Sequence, residues 1–138
     1  MKLEQQVCSL ELAKKLKELG IKQKSYFYHY FTEFGSSAVL QGEDHLSIVD
    51  DTGKRREFVG FVSAFTVAEL GEMLPGNIDG DIFQTQKGVM GRLWYCTMMP
   101  PDLISAGLLK THQEESDTEA DARAKMLVYL IENKLISL

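Results

Sequence analysis

Five side chains able to ligate a borderline or soft metal occur in the chain: Cys8, His29, His45, Cys96 and His112. No C-x-x-C or H-x-x-x-H spacing puts two of them on one turn or one helix face, the arrangement that prepositions zinc ligands. The same thiols and imidazoles are ingredients of nucleophilic catalysis, which needs a Ser or Cys beside a His with an orienting acid. No G-x-S-x-G elbow holds such a nucleophile, and neither a phosphate-cradling loop nor a dinucleotide fingerprint is present. Buried thiols and scattered imidazoles account for these residues. The expectation is no catalytic residue, no cofactor-binding residue, no cofactor and no metal ligand.

Asp51-Thr52-Gly53 repeats the tripeptide that carries the catalytic carboxylate of aspartic proteases, where two such groups share one proton. A homodimer would supply the second carboxylate. Those enzymes follow the tripeptide with a small residue, whereas here Lys54-Arg55-Arg56 follows, and a charged hairpin tip explains the same letters. Asp51 and Cys96 remain the least poor centres for an enzymatic reading. Gly88-Val89-Met90-Gly91, between Lys87 and Arg92, matches the G-x-x-G of KH domains, but that loop joins helices and this one joins predicted strands. A helix, three strands and a helix over residues 9–74 resemble the double-stranded-RNA-binding domain in outline. The phosphate-docking lysines of that family would fall at Thr66, Val67, Ala68 and Glu69. The alternative reading, a nucleic-acid-associated protein, uses the Lys-rich residues 14–24 and a stacking platform of Tyr26, Tyr28 and Tyr30. An aromatic strand is more often core.

Net charge disfavours that alternative: the chain carries −5, and phosphate neutralisation needs clustered Lys and Arg. Residues 1–24 hold six Lys and three Glu, whereas residues 110–121 hold one Lys and five acids, giving local balances of +3 and −4. Segments of opposite sign attract within one molecule or between two, or are simply solvated faces. A length of 138 residues suits one domain, 1–138, with a core that needs no disulfide or metal. The spacing of Cys8 and Cys96 leaves a bridge open, but two buried thiols in a reducing compartment is the preferred reading. No apolar run approaches the roughly 18 residues of a membrane span, and Met1–Gln6 lacks a secretory apolar stretch. The expected location is cytoplasmic, with no membrane partner.

The elements are more legible than the chemistry. Ser9 is a good N-cap for a first helix with Leu12, Ala13, Leu16 and Leu19 on one stripe. Gly20 and Ile21 suit a Schellman ending. Tyr26–Phe31 reads as a strand apolar on both faces, residues 35–43 as a surface loop, and Leu46–Val49 with Arg56–Val62 as a hairpin about Gly53. Thr66 and Glu69 have capping-box spacing, Phe65 and Leu70 staple the same helix, and Pro75-Gly76 closes it. Ile82–Thr85 and Arg92–Thr97 form a second hairpin about Lys87-Gly88. Residues 102–110 read as a short helix weakened by Gly107. The last helix has capping-box spacing at Ser116–Glu119, Ala120, Ala124, Leu127, Leu130 and Ile131 as its buried stripe, and pairs Glu119–Arg123 and Asp121–Lys125. The order α-β-β-β-α-β-β-α predicts an α+β domain, its mainly antiparallel sheet of about five strands covered by helices.

Phe65–Pro75, Glu119–Leu135 and, more loosely, Ser9–Ser25 resemble segments of small uncharacterised proteins of bacterial phage and prophage regions. Thr66, Glu69, Leu70, Ala120, Ala124 and Leu127 carry the resemblance. It implies a mobile-element origin and a bacterial cytoplasm, and it implies no activity. The resulting expectation is a non-enzymatic accessory domain acting through contact with a protein partner or with a second copy of itself.

Overall fold

The computed structural model describes residues 2–33, 35–43, 45, 47–49, 52–78, 80–100 and 112–138. Asp51, the predicted start of the hairpin at Leu46, and the predicted helix over 102–110 lie outside these residues. Within them the order is α1 (Leu10–Glu18), β1 (Phe27–Phe31), β2 (Ser37–Gln41), β3 (Ser47–Val49), β4 (Arg55–Glu57) and β5 (Gly60–Ser63). Then follow α2 (Val67–Met73), β6 (Asn77–Ile78), β7 (Asp81–Lys87), β8 (Trp94–Met99), β9 (His112–Ser116) and α3 (Glu119–Glu132). The fold is α+β, and every strand pair described is antiparallel. The strands form three groups: β2-β1-β5, the hairpin β3-β4, and β6-β7-β8-β9.

Local signals set the helix ends. Ile21 N–H donates to Leu16 O and Gly20 N–H to Lys17 O, each at 3.0 Å, with Gly20 at φ +94°, so α1 closes as a Schellman motif. At α2, Glu69 N–H donates to Thr66 Oγ1 at 3.2 Å and Thr66 N–H to Glu69 Oε2 at 2.8 Å, completing the capping box. Phe65 and Leu70 are fully buried, as a staple requires. Ser9 holds the N-cap position of α1 without a side-chain cap bond; its backbone N–H instead donates to Asp121 Oδ1 at 2.6 Å.

Two departures change the sheets. Residues 37–41, expected as loop, pair along β1, and residues 112–116, expected only as an acidic tract, pair along β8. The predicted strand 56–62 is divided. Val59 N–H donates to Phe31 O at 2.9 Å while Gly60 is the register partner of Phe31. Two residues thus face one, a β-bulge that ends pairing and releases the chain into β4. The β7–β8 hairpin forms as expected, with Gly88 N–H donating to Leu93 O at 2.8 Å across its turn.

Helix α3 is buried on two faces, where one stripe was expected. Ala120, Ala124 and Leu127 join Ala13, Leu16, Val62, Phe65 and Leu70 in a first core. Ala122, Met126 and Leu130 join Cys96 and Met98 in a second, with Trp94 and Phe83 packed against it. Leu74 and Ile136 touch both cores. Alanines on both faces let the helix approach both layers closely. Leu127→Ala in the first core should cost about 3 kcal/mol. Because both cores share α3, the urea transition read by fluorescence of Trp94, the sole tryptophan, should shift together with the transition read by circular dichroism. A Trp94 transition that stays unmoved would mean two independently folding units.

Candidate interaction surface

Among the described residues, the polar groups singled out by chemistry meet only where His29 Nε2 reaches the Cys8 carbonyl. Cys8 and Cys96 are both buried free thiols in different cores. Burial pushes the Cys8 thiol up to about 12 and raises that of Cys96, the opposite of what a nucleophile needs. Cys96 is fully buried in the second core. His29 is buried, with Nε2 against Cys8 O at 2.6 Å. His45 lies on the surface with Nε2 at 2.7 Å from Gln41 O. His112 stacks flat on Tyr129 at 3.4 Å and meets Glu114 at 2.9 Å. Among the described residues no group of three or more His, Cys, Asp and Glu side chains is placed to hold a metal.

The tyrosine strand is core rather than platform. Tyr28 and Tyr30 are 2% and 1% exposed. Their rings pack with Phe61, and Tyr30 also meets Phe58 and His45. Tyr28 Oη donates to Glu43 Oε1 at 2.7 Å and Tyr30 Oη to Gly42 O at 2.5 Å. Neither ring face is free to stack on a base. Tyr26, 71% exposed, precedes the strand and has its N–H held by Glu69 Oε1 at 3.1 Å.

No ion pair among the described residues joins the Lys-rich residues 1–24 to the acidic residues 110–121. The acidic segment meets the first helix through Ser9 and Asp121, and Lys15 pairs with Glu132 at 2.9 Å. Glu119 and Arg123 form their predicted pair at 2.9 Å, whereas Asp121 and Lys125 do not pair. Lys125 Nζ instead donates to Glu115 O at 2.8 Å, tying α3 to β9.

One surface combines unpaired backbone with exposed apolar side chains: the outer edge of β5. Ala64 N–H donates to Phe27 O at 2.8 Å, and the register pairs His29 with Val62 and Tyr30 with Phe61. Alternation along an antiparallel ladder then aims the backbone of Val62 at β1 and that of Phe61 and Ser63 outward. Ser63 N–H is met by Gln23 Oε1 at 3.0 Å, a side chain standing in for a neighbouring strand. The outward N–H and C=O of Phe61 have no protein partner among the described residues. Beside them Val59 is 61% and Phe61 44% exposed. A groove of about 660 Å³ runs along this edge, lined by Lys17, Gln23, Phe31, Glu43, Val59, Gly60, Phe61 and Val62.

The sequence named Phe61 only as part of a strand, and Lys17 as a residue off the apolar stripe within the Lys-rich residues 14–24. Their proximity comes from α1 packing on the sheet face that carries Phe31 and Val62. No local pattern could have joined them; a hairpin ending in a large aromatic beside a glycine was the one available hint. The tip of the β7–β8 hairpin exposes Val89 and Met90 between Lys87 and Arg92, but around ordinary turn hydrogen bonds.

Burial lowers the proton affinity of His29, while the Cys8 carbonyl and the charge of Asp121 act the other way. The unfolded chain takes that proton near pH 6.5, so below this value it binds more protons than the fold does. Stability should therefore fall as pH drops through about 6.5. His29→Gln should flatten this dependence, as read from urea midpoints between about pH 5 and 7.5. Both thiols should resist an aromatic disulfide reagent at about pH 8 until the chain unfolds. Compared with family models, curated proteins and solved structures, the chain finds no match in any of the three.

Proposed function

We propose that this chain is a non-enzymatic protein-binding domain that acts by contact through the outer edge of β5. The single observation that carries the reading is Phe61, 44% exposed and with no protein partner for its outward backbone groups among the described residues. A large aromatic exposed beside an unsatisfied strand edge is costly for a monomer, because it templates unwanted pairing, and proteins normally blunt such edges. Its retention favours a role in recognition. The resemblance to phage-region proteins fits an accessory domain in a bacterial cytoplasm, and two free thiols suit a reducing compartment. No helix among the described residues is long and apolar enough to cross a membrane.

The reading is tested by using the folded chain as bait in host lysate and comparing wild type with Phe61→Asp and Val89→Asp. The expected outcome is a defined partner whose recovery falls at least about tenfold with Phe61→Asp, a loss of the size of one interface hot spot, and is unchanged with Val89→Asp. Matching circular dichroism and urea midpoints of the variants would show that the loss is one of binding. Equal recovery by both variants would overturn the β5 edge as the contact surface. Salt-sensitive nucleic-acid gel shifts with no protein partner would replace the reading by a nucleic-acid one.

A further inference from the structure

We infer that the β5 edge takes an extended, alternating acidic–apolar peptide segment as an added strand, an inference that rests on the contact reading above and names its partner chemistry. Free strand edges are completed by main-chain hydrogen bonds, with side chains supplying specificity at alternate positions. The Phe61 N–H and C=O supply one such pair of bonds, and Gln23 already shows at Ser63 that this edge accepts a strand-like carbonyl.

The two faces of the sheet fix the side chains of the incoming strand. On one face lie Gly60 and Val62, with α1 and Lys17 beside them; Lys14 Nζ sits 4.5 Å from the centroid of the Phe31 ring on the same side. A Cβ at Gly60 would come within 2.7 Å of Phe31 Cζ, so the ring closes over the glycine and leaves no side chain projecting there. Incoming residues on this face meet ammonium groups, and carboxylates complement them. On the other face stands the Phe61 ring, against Tyr28 and Tyr30, with the Glu43 carboxylate accepting from Tyr28 Oη; incoming apolar side chains meet the ring there. Side chains alternate along a strand, so the segment alternates Glu or Asp with Val, Ile or Leu.

A second copy of the chain fits less well. Antiparallel pairing of β5 with its own copy keeps like faces on the same side, which brings the lysines of one α1 toward those of the other. That charge pattern disfavours self-pairing and favours an acidic guest.

The test titrates the full chain with a synthetic peptide alternating Glu and Val, blocked at both ends, and follows amide hydrogen exchange. Expected are saturable binding, slowed exchange at Phe61, and affinity that falls at least about tenfold on raising salt from about 50 to 500 mM. A peptide alternating Lys and Val should bind at least about tenfold more weakly, and Lys17→Glu should reverse the preference. N-methylation of the peptide amides that would face β5 should abolish binding; this control leaves the protein unaltered, so a folding defect cannot mimic it. Binding that survives N-methylation, or that leaves Phe61 exchange unchanged, would overturn the added strand. Phe61 protection that appears without peptide as the chain dimerises would assign the edge to a second copy. Should no peptide bind while a lysate partner is still lost with Phe61→Asp, the contact reading stands and the partner chemistry inferred here fails.

Discussion

Everything in this structure hangs on burying α3 from two sides. Ala120, Ala124 and Leu127 face one layer, while Ala122, Met126 and Leu130 face the other. The helices α1 and α2 with the three-stranded sheet cover the first face, and the four-stranded sheet covers the second. A small domain gains most from such sharing, because one helix removes apolar surface of two layers from water. It also explains the alanines, which trade side-chain area for close approach on both sides. A larger residue at Ala122 or Ala124 would have to displace a sheet or a helix.

The charged residues of α3 follow from the same placement. On an isolated helix Asp121 and Lys125 would pair across one turn, contributing about 0.3–0.5 kcal/mol. Here Asp121 takes the Ser9 N–H and Lys125 a β9 carbonyl, while Arg123 Nη1 donates to Val67 O at 3.1 Å at the start of α2. A hydrogen bond to an ionised group is worth about 1.5–3 kcal/mol when sheltered, as the part-buried bonds of Asp121 and Arg123 are; the Lys125 bond is exposed, and Arg123 keeps its local pair with Glu119 as well. These three bonds pin α1, α2 and β9 to one helix. Charge that looked like solvation in the sequence thus sets the mutual placement of the layers.

What could be read beforehand was what is decided within a few residues. Thr66 with Glu69, Gly20 with Ile21, and the turn after Lys87 each rest on local hydrogen bonds, and each forms as expected. What escaped was decided at a distance. Ala38-Val39-Leu40 is too short an apolar run, between Gly35 and Gly42, to announce a strand until β1 offers a partner. His112–Ser116 has no β pattern of its own and pairs because β8 presents a free edge. The break at Val59 follows from a bulge against Phe31, and the groove needs residues from α1, the following loop and β5 at once. Not every local signal held: the cap of α3 is Thr118, whose Oγ1 accepts from Asp121 N–H at 3.2 Å, rather than Ser116, and Ser9 makes no side-chain cap bond.

The edge of β5 poses a choice between protection and recognition. Several of its features are the devices that keep sheet edges from aggregating: a bulge at Val59 and Gly60, a side-chain amide on Ser63, and a lysine nearby. An edge built only for protection would carry a charge at position 61 as well, where the unpaired backbone faces water. Phe61 is there instead, its ring half in the aromatic cluster and half in solvent. Within the cluster Phe61 meets Tyr28 edge-on at 5.6 Å and Tyr30 at 5.4 Å. An aromatic held in place by Tyr28 and Tyr30 loses little side-chain entropy on contact, which is what a recognition anchor needs. Protection explains the bulge, the amide and the lysine; the contact proposed above would cover the exposed part of Phe61.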